Sequence, residues 1–399
     1  MVRAGKSRRF VLRTCVCAAV ICALTACAGD SASVTMGNTA EITAENKTDN
    51  HTQIEGLQWQ GYTELAYAEG FTIENYKDGF RLITVSGEAQ YLIVPENYEA
   101  PQGLKSDITV INQPVSGIYL AATAVMDMFR SLDALDTITF SGADADGWYI
   151  EEAKQAVESG AMLYAGKYSA PDYELILSKG CPLAIENTMI LHTPEVKEQL
   201  EQLGIAVLVD YASSESHPLG RIEWVKLYGA LLGKEAQAQE IFDAQAGTFA
   251  EIEKQVQKSD KTVVLFYLTE NGAASVRSPS DYMVKIIETA GATYAFSDLE
   301  TDDKKSSSIT MQMEAFYARA KSADYLIYNS TIGNEYETLE ALLEKEPLLG
   351  DFNAVKENHV WCVPKNLYQE SMSAAGLLRD IYAVLNEEAP STTCLYRIE

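Results

Sequence analysis

From Lys234 to Lys258 the chain has no proline, and Ala238, Ile241, Gln245, Phe249, Ile252 and Val256 recur at three- and four-residue steps. That periodicity predicts one continuous amphipathic helix, roughly 37 Å long at 1.5 Å per residue. Strand-and-helix segments stand on both sides of it, so the chain must fold as two lobes with this helix between them. The implied division is an N-terminal α/β lobe over 57–233, the connector over 234–258 and a C-terminal α/β lobe over 259–399. One stiff helix, unlike paired flexible strands, predicts only a modest change of angle between the lobes.

The first lobe opens with short β-rich runs, Phe71–Ile73, Phe80–Val85 and Tyr91–Val94, punctuated by Lys77-Asp78-Gly79 and Ser86-Gly87-Glu88. Such spacing predicts a strand meander. From Asp107 onward strands and helices alternate. Ile108–Ile111 precedes a helical stretch from Ile118 to Leu132, and Thr137–Phe140 precedes one from Tyr149 to Glu158. Pro182–Glu186 and Ala206–Val209 read as strands around a helix from Pro194 to Leu203. A second series starts with Thr262–Leu268. It continues through helices at Pro279–Ala290 and Met311–Lys321, strands at Tyr325–Tyr328 and Val360–Val363, and a closing helix near Ser373–Leu385. Alternation of this kind implies mainly parallel sheets.

The N-terminus has the layout of a secretory signal: Arg3, Lys6, Arg8, Arg9 and Arg13, an apolar run, then Leu24-Thr25-Ala26-Cys27. The apolar run is short for a bilayer span, and the residues before Cys27 resemble a bacterial lipobox. The expectation is a signal peptide over 1–26, a lipid on Cys27, and a flexible spacer over 27–56 rich in Gly, Ser, Thr, Asn and Ala. The formal net charge is -26, and the first 26 residues carry five cations and no anion, which leaves the remainder near -31. Nucleic acid and anionic lipid surfaces are poor partners for such a chain. Beyond Cys27 only Cys181, Cys362 and Cys394 remain, and His51, His192, His217 and His359 are scattered, so no structural zinc site is expected.

Beyond these patterns, the chain from about Phe71 to Leu385 resembles the substrate-binding lipoproteins of ABC importers for ferric siderophores, haem and cobalamin. The resemblance rests on Ala165-Gly166-Lys167-Tyr168-Ser169-Ala170-Pro171-Asp172-Tyr173-Glu174, Leu203–Asp210, Ser216–Trp224, Thr310–Glu314 and Ala323–Asn329. It implies an α/β fold of two Rossmann-like lobes joined by one long α-helix, the helical-backbone periplasmic binding protein fold. It also implies that Glu174 and Glu314, each in the first turn of a helix leading to a strand, meet arginines of a permease dimer. Carboxylates suit helix N-termini, and Arg grips them in a bidentate fashion.

The ligand is expected between the lobes, against loops that follow strand ends. Trp148, Tyr149, Lys167 and Tyr168 are the candidate contacts in the first lobe, and Arg277, Tyr282, Asn329 and Tyr368 those in the second. Aromatic walls with a few polar groups suit a flat or bulky chelate. The implied cargo is a ferric siderophore, with a corrinoid or haem as alternatives. The protein would be a monomer held outside the cell membrane by its lipid anchor, serving an ABC permease with its ATPase. No resident cofactor, metal ligand set or catalytic residue is expected. A cell-surface enzyme or a ligand sensor is the competing class, but Gly-x-Ser-x-Gly, HExxH and P-loop motifs are absent from the sequence. Asp144-Ala145-Asp146-Gly147 reads as a solvated turn, and His217 and Glu223 as capping or packing residues.

Overall fold

A computed structural model describes residues 51–300 and 306–399, so Cys27, the signal segment and most of the spacer lie outside the described residues. Residues His51 to Glu399 form one compact unit.

The first sheet is the expected meander. Strands β1 (Trp59–Tyr62), β2 (Phe71–Tyr76), β3 (Arg81–Val85) and β4 (Ala89–Val94) pair antiparallel in sequence order. Strand β5 (Ile108–Asn112) then adds parallel to β4. The run Ile108–Ile111 therefore completes the meander instead of opening the parallel sheet. Residues 51–56, grouped by composition with the spacer, are docked on this sheet. Thr52 donates its amide to Glu74 at 2.7 Å, Ile54 is buried, and the His51 ring stacks on Trp59.

The second sheet is wholly parallel, in the order β10-β9-β6-β7-β8. Its strands are β6 (Ile118–Leu120), β7 (Ile138–Ser141), β8 (Leu163–Tyr164), β9 (Leu183–Asn187) and β10 (Ala206–Asp210). Crossovers run through α1 (Met126–Ser131), α2 (Glu151–Glu158), α3 (Tyr173–Ser178) and α4 (Pro194–Gln202). The helix expected over Ile118–Leu132 is thus a central strand followed by a short helix. Ile118-Tyr119-Leu120 carries no charge and is fully buried on both sheet faces, a pattern that suits a covered parallel strand.

After β10 come α5 (Pro218–Glu223), α6 (Val225–Leu232) and the long helix α7 (Glu235–Gln255). Gly233 ends α6 in the left-handed conformation at φ 70°, as a helix C-terminus favours. Gly229 lets α6 lie directly on α7, because a Cβ there would come within 2.5 Å of the Ala238 methyl. Ala238, Phe242, Phe249 and Ile252 form the buried stripe of α7. The helix packs on α5 and α6 and, further along, on α8 (Tyr282–Thr289) and α12 (Ala374–Leu385).

The third sheet is mixed. It orders β14-β12-β11-β15-β16-β17, with β13 beside the start of β11. The parallel core is β11 (Thr262–Leu268), β15 (Tyr325–Asn329) and β16 (Val360–Val363). Antiparallel β12 (Ala274–Arg277), β14 (Ser308–Met311) and β17 (Tyr396–Arg397) flank it, and β13 (Thr293–Tyr294) is short. Helices α9 (Met313–Ala320), α10 (Leu339–Lys345) and α11 (Asn353–Lys356) make the connections. One continuous apolar core joins a face of each sheet through α5 to α8 and α12.

The meander is fastened by two buried acids. Glu223, on α5, accepts the amides of Ala66, Tyr67 and Ala68 at 2.8–2.9 Å and faces Lys226 Nζ at 2.9 Å. Glu215 accepts the amides of Glu69 and Gly70 and the Trp224 indole N–H. Burial raises the Glu223 pKa, but Lys226 and the three amides outweigh it and leave the group below its ordinary value. Glu223→Gln keeps the size but sets an NH2 among donors. It is expected to cost about 2–4 kcal/mol of stability, read by urea denaturation at pH 7; an unchanged midpoint would refute the clamp.

Candidate functional site

Six of the eight candidate residues sit at or just beyond the C-terminal ends of the parallel strands β7, β8, β15 and β16, whereas Arg277 ends antiparallel β12 and Tyr282 opens α8 after it. After β7, Ser141 Oγ accepts the Trp148 indole N–H at 2.9 Å and the Ala143 amide at 3.1 Å. Trp148 is thereby turned into the core and buried. The intervening turn is capped by Asp144, which accepts the Gly147 amide at 3.0 Å, as a solvated turn requires. The next residue, Tyr149, points outward and is 42% exposed.

Lys167 and Tyr168 share the tight turn after β8. That turn is closed by Ala170 N–H to Lys167 O and Asp172 N–H to Ala165 O, and Tyr119 donates its hydroxyl to Gly166 O at 2.8 Å. Lys167 is exposed, whereas Tyr168 leans on the second sheet's outer core.

In the second lobe the predicted polar contacts turn inward. Arg277 is buried, with Nε 3.7 Å from Asp281 and its other nitrogens toward Ser308 Oγ at 3.3 Å and Met283 Sδ at 3.6 Å. Asn329, also buried, lies 3.8 Å from the same sulfur and accepts the Thr331 amide and hydroxyl. Arg277 and Asn329 are therefore brought together, but as an internal polar cluster. The Tyr282 ring is covered by the Arg221 guanidinium at 3.7 Å, and Arg221 is itself held by the carbonyls of Glu215 and Ser213. Tyr368 is 40% exposed, and its ring meets Tyr149 edge-to-face at 5.8 Å. Of the eight predicted contacts, Tyr149 and Tyr368 are the pair that joins one lobe to the other.

That meeting is supported by residues the sequence reading missed. Gln369, fully buried, accepts the Tyr149 amide at 2.8 Å and donates to Gly147 O at 2.7 Å. Ser371 donates to Ala124 O at 2.7 Å, and Asp127 on α1 accepts the Met372 amide at 2.8 Å. A lone glutamine in a loop has no periodic signal, so nothing in the sequence marked it.

Glu186 was also missed, although a charge inside a parallel strand is a usable signal. It is fully buried on β9, on the face that holds Tyr119, and neither carboxylate oxygen has a hydrogen-bond partner. Two recesses, of about 310 and 330 Å³, lie elsewhere and include none of the eight candidates. Among the described residues no group of three or more His, Cys, Asp or Glu is placed to hold a metal ion, and Cys181, Cys362 and Cys394 are free and buried.

Glu174 and Glu314 occupy matching places. Each is exposed and lies in the first turn of its helix, α3 leading to β9 and α9 leading to β15. Neither caps its helix, since Asp172 caps α3 and α9 has no side-chain cap.

The family described as periplasmic binding protein matches residues 147–367. An uncharacterized lipoprotein of Methanocaldococcus jannaschii is 24% identical over 393 residues, covering 96% of each chain. Among solved structures, the periplasmic heme binding protein HutB of Vibrio cholerae has a TM-score of 0.55 at 18% identity, covering 67% of this chain and 98% of that one. The petrobactin-binding protein YclQ of Bacillus subtilis has a TM-score of 0.54 at 14% identity, covering 68% and 92%. Among the described residues no helix is long and apolar enough to cross a membrane.

Burial pushes the Glu186 carboxyl from 4.5 up to about 8. The folded chain then holds a proton that the unfolded chain releases, so stability falls as pH rises from about 4.5 to about 8 and levels off above that. Glu186→Gln is expected to remove this slope. Its stability relative to the parent, measured by urea denaturation at pH 5 and pH 8.5, should improve by a few kcal/mol toward the higher pH; parallel profiles would refute a neutral buried acid.

Proposed function

This chain belongs to the periplasmic binding protein family, and on that premise we propose that it captures a ferric siderophore between its lobes and delivers it to an ABC permease. It performs no chemistry on the cargo. The observation that carries the reading is the pair Glu174 and Glu314: exposed acids at equivalent first-turn positions in the two halves, committed neither to ion pairs among the described residues nor to capping. A symmetric permease dimer needs two such anchors, one per lobe, and bidentate arginine contacts would fix orientation. Exposed ion pairs add little affinity by themselves, so the docked complex is expected to be transient.

Tyr149 and Tyr368 are the ligand contacts this reading favours, because both stay exposed at the meeting of the lobes. Lys167 and Tyr168 remain candidates at the turn after β8. Trp148, Arg277, Tyr282 and Asn329 act behind that surface: their side chains are occupied by Ser141, Asp281, Arg221 and Thr331 and support the loops that carry it. A lipid on Cys27 would tether the monomer outside the membrane, in keeping with the lipoprotein relative. Metal would arrive wrapped in its own chelator, so the protein needs no ligand set of its own.

Two measurements test this. Tryptophan-fluorescence titration, checked by calorimetry, should give saturable one-to-one binding of a ferric siderophore, with cobalamin and hemin as competing arms; silence from all three would sink the cargo assignment. Replacing Glu174 and Glu314 by Ala together should leave that affinity within twofold of the parent while lowering chelate uptake by whole cells at least tenfold. Normal uptake by the double variant would remove the docking role.

A further inference from the structure

Gln369 is buried completely, and its amide is fully used. Oε1 accepts the Tyr149 amide, while Nε2 donates to Gly147 O and, at 2.8 Å, to the Tyr368 hydroxyl. Only a primary amide answers a backbone N–H and a backbone C=O on one loop and still has a donor left for a phenol. A carboxylate would face the Gly147 carbonyl, and an apolar side chain would leave buried backbone groups unpaired, which is costly. Gln369 thus holds Tyr149 by its backbone and Tyr368 by its hydroxyl, and their rings, at an interplanar angle of 76°, are the exposed part of the arrangement. A T-shaped pair leaves the outer face of one ring and an edge of the other free, and aromatic groups take up further rings by offset stacking or edge-to-face contact.

We propose that Gln369 is a positioning residue that sets Tyr149 of one lobe against Tyr368 of the other, and that the paired rings select cargo bearing a flat aromatic or macrocyclic face. This rests on the cargo-binding reading above and adds a chemical class to it. Selection arises because the ring pair exists only while the lobes are joined at this point. A ligand with a flat face gains contact with both rings, and a purely aliphatic chelate gains little.

The test uses the full chain and three variants, Gln369→Ala, Gln369→Glu and Tyr368→Ala. The probes are ferric tris(2,3-dihydroxybenzoate), hemin and, as the ring-free comparison, ferric tris-acetohydroxamate. Amide exchange of the 147–149 segment is followed by mass spectrometry, and thermal midpoints are recorded alongside. Gln369→Ala should raise exchange of the segment at least tenfold and weaken the best aromatic probe at least tenfold, with hydroxamate affinity within twofold. Gln369→Glu keeps only the acceptor half and should fall between Ala and the parent in both readouts. Tyr368→Ala leaves the Gln369 contacts to the loop in place, so it should lose the aromatic probe without faster exchange. The proposal fails if the aromatic probes bind Gln369→Ala or Tyr368→Ala as they bind the parent, or if all probes weaken in step. A parent that binds hydroxamate but no aromatic probe overturns the selection and leaves the cargo reading standing. A parent that binds nothing overturns both.

Discussion

Five consecutive backbone amides, from Ala66 to Gly70, end on just two carboxylates, Glu223 and Glu215. The rest of the architecture depends on this cluster. The segment links β1 to β2 without regular structure of its own, so its amides would otherwise be unpaired where it crosses the helices. Lys226 neutralises Glu223 and sits 4.3 Å from the centre of the Phe242 ring on α7. Gly70 is required because a Cβ there would meet the Trp224 ring at 2.8 Å. The meander is thereby bound to α5 and α6, the helices against which α7 packs.

The two kinds of contact between the lobes differ in strength and in purpose. The apolar core that runs through α5, α7, α8 and α12 is continuous, and opening it would expose large side chains to water at about 25 cal/mol per Å². The contacts from Gln369, Ser371 and Met372 to the first lobe are four hydrogen bonds, each worth about 1 kcal/mol net. A few kcal/mol is within the reach of micromolar ligand binding. The helical side therefore stays shut, and the polar side is the one whose closure a ligand has the free energy to reinforce.

Much of this architecture was legible in the sequence, because burial imposes a period on it. The 3.6-residue stripe marked α7, the β-branched run Thr262–Leu268 marked β11, and Val360–Val363 marked β16 to the residue. The errors have physical causes. Ile118-Tyr119-Leu120 is too short to display any period, and its strand character comes from β7 and β9 on either side. Edge strands β14 and β17 owe their pairing to neighbours some 30 residues away, and β12 is a four-residue strand that lies between β14 and β11. The antiparallel flanks of the third sheet were therefore not visible. At the candidate site, side-chain type identified aromatic loop residues but could not separate Trp148, drawn inward by Ser141, from Tyr149, its outward neighbour. Arg277 looked available because its partner Asp281, four residues on at the start of α8, is brought back to it only by the turn between strand and helix.

The contacts that join the lobes at Gln369, Ser371 and Asp127 link residues 220 to 247 positions apart. Loops of that length are the last to close as a chain folds, since their entropy must be spent before the contact is gained. Each lobe can pair its own sheet from strands tens of residues apart, so the junction is assembled late from parts already ordered. The same separation makes it the natural first place to open. A fluctuation that breaks four hydrogen bonds and leaves the shared apolar core in place lies far below global unfolding. The amides of Tyr149 and Met372, which donate across it, can therefore exchange with solvent through an opening that leaves the rest of the fold in place.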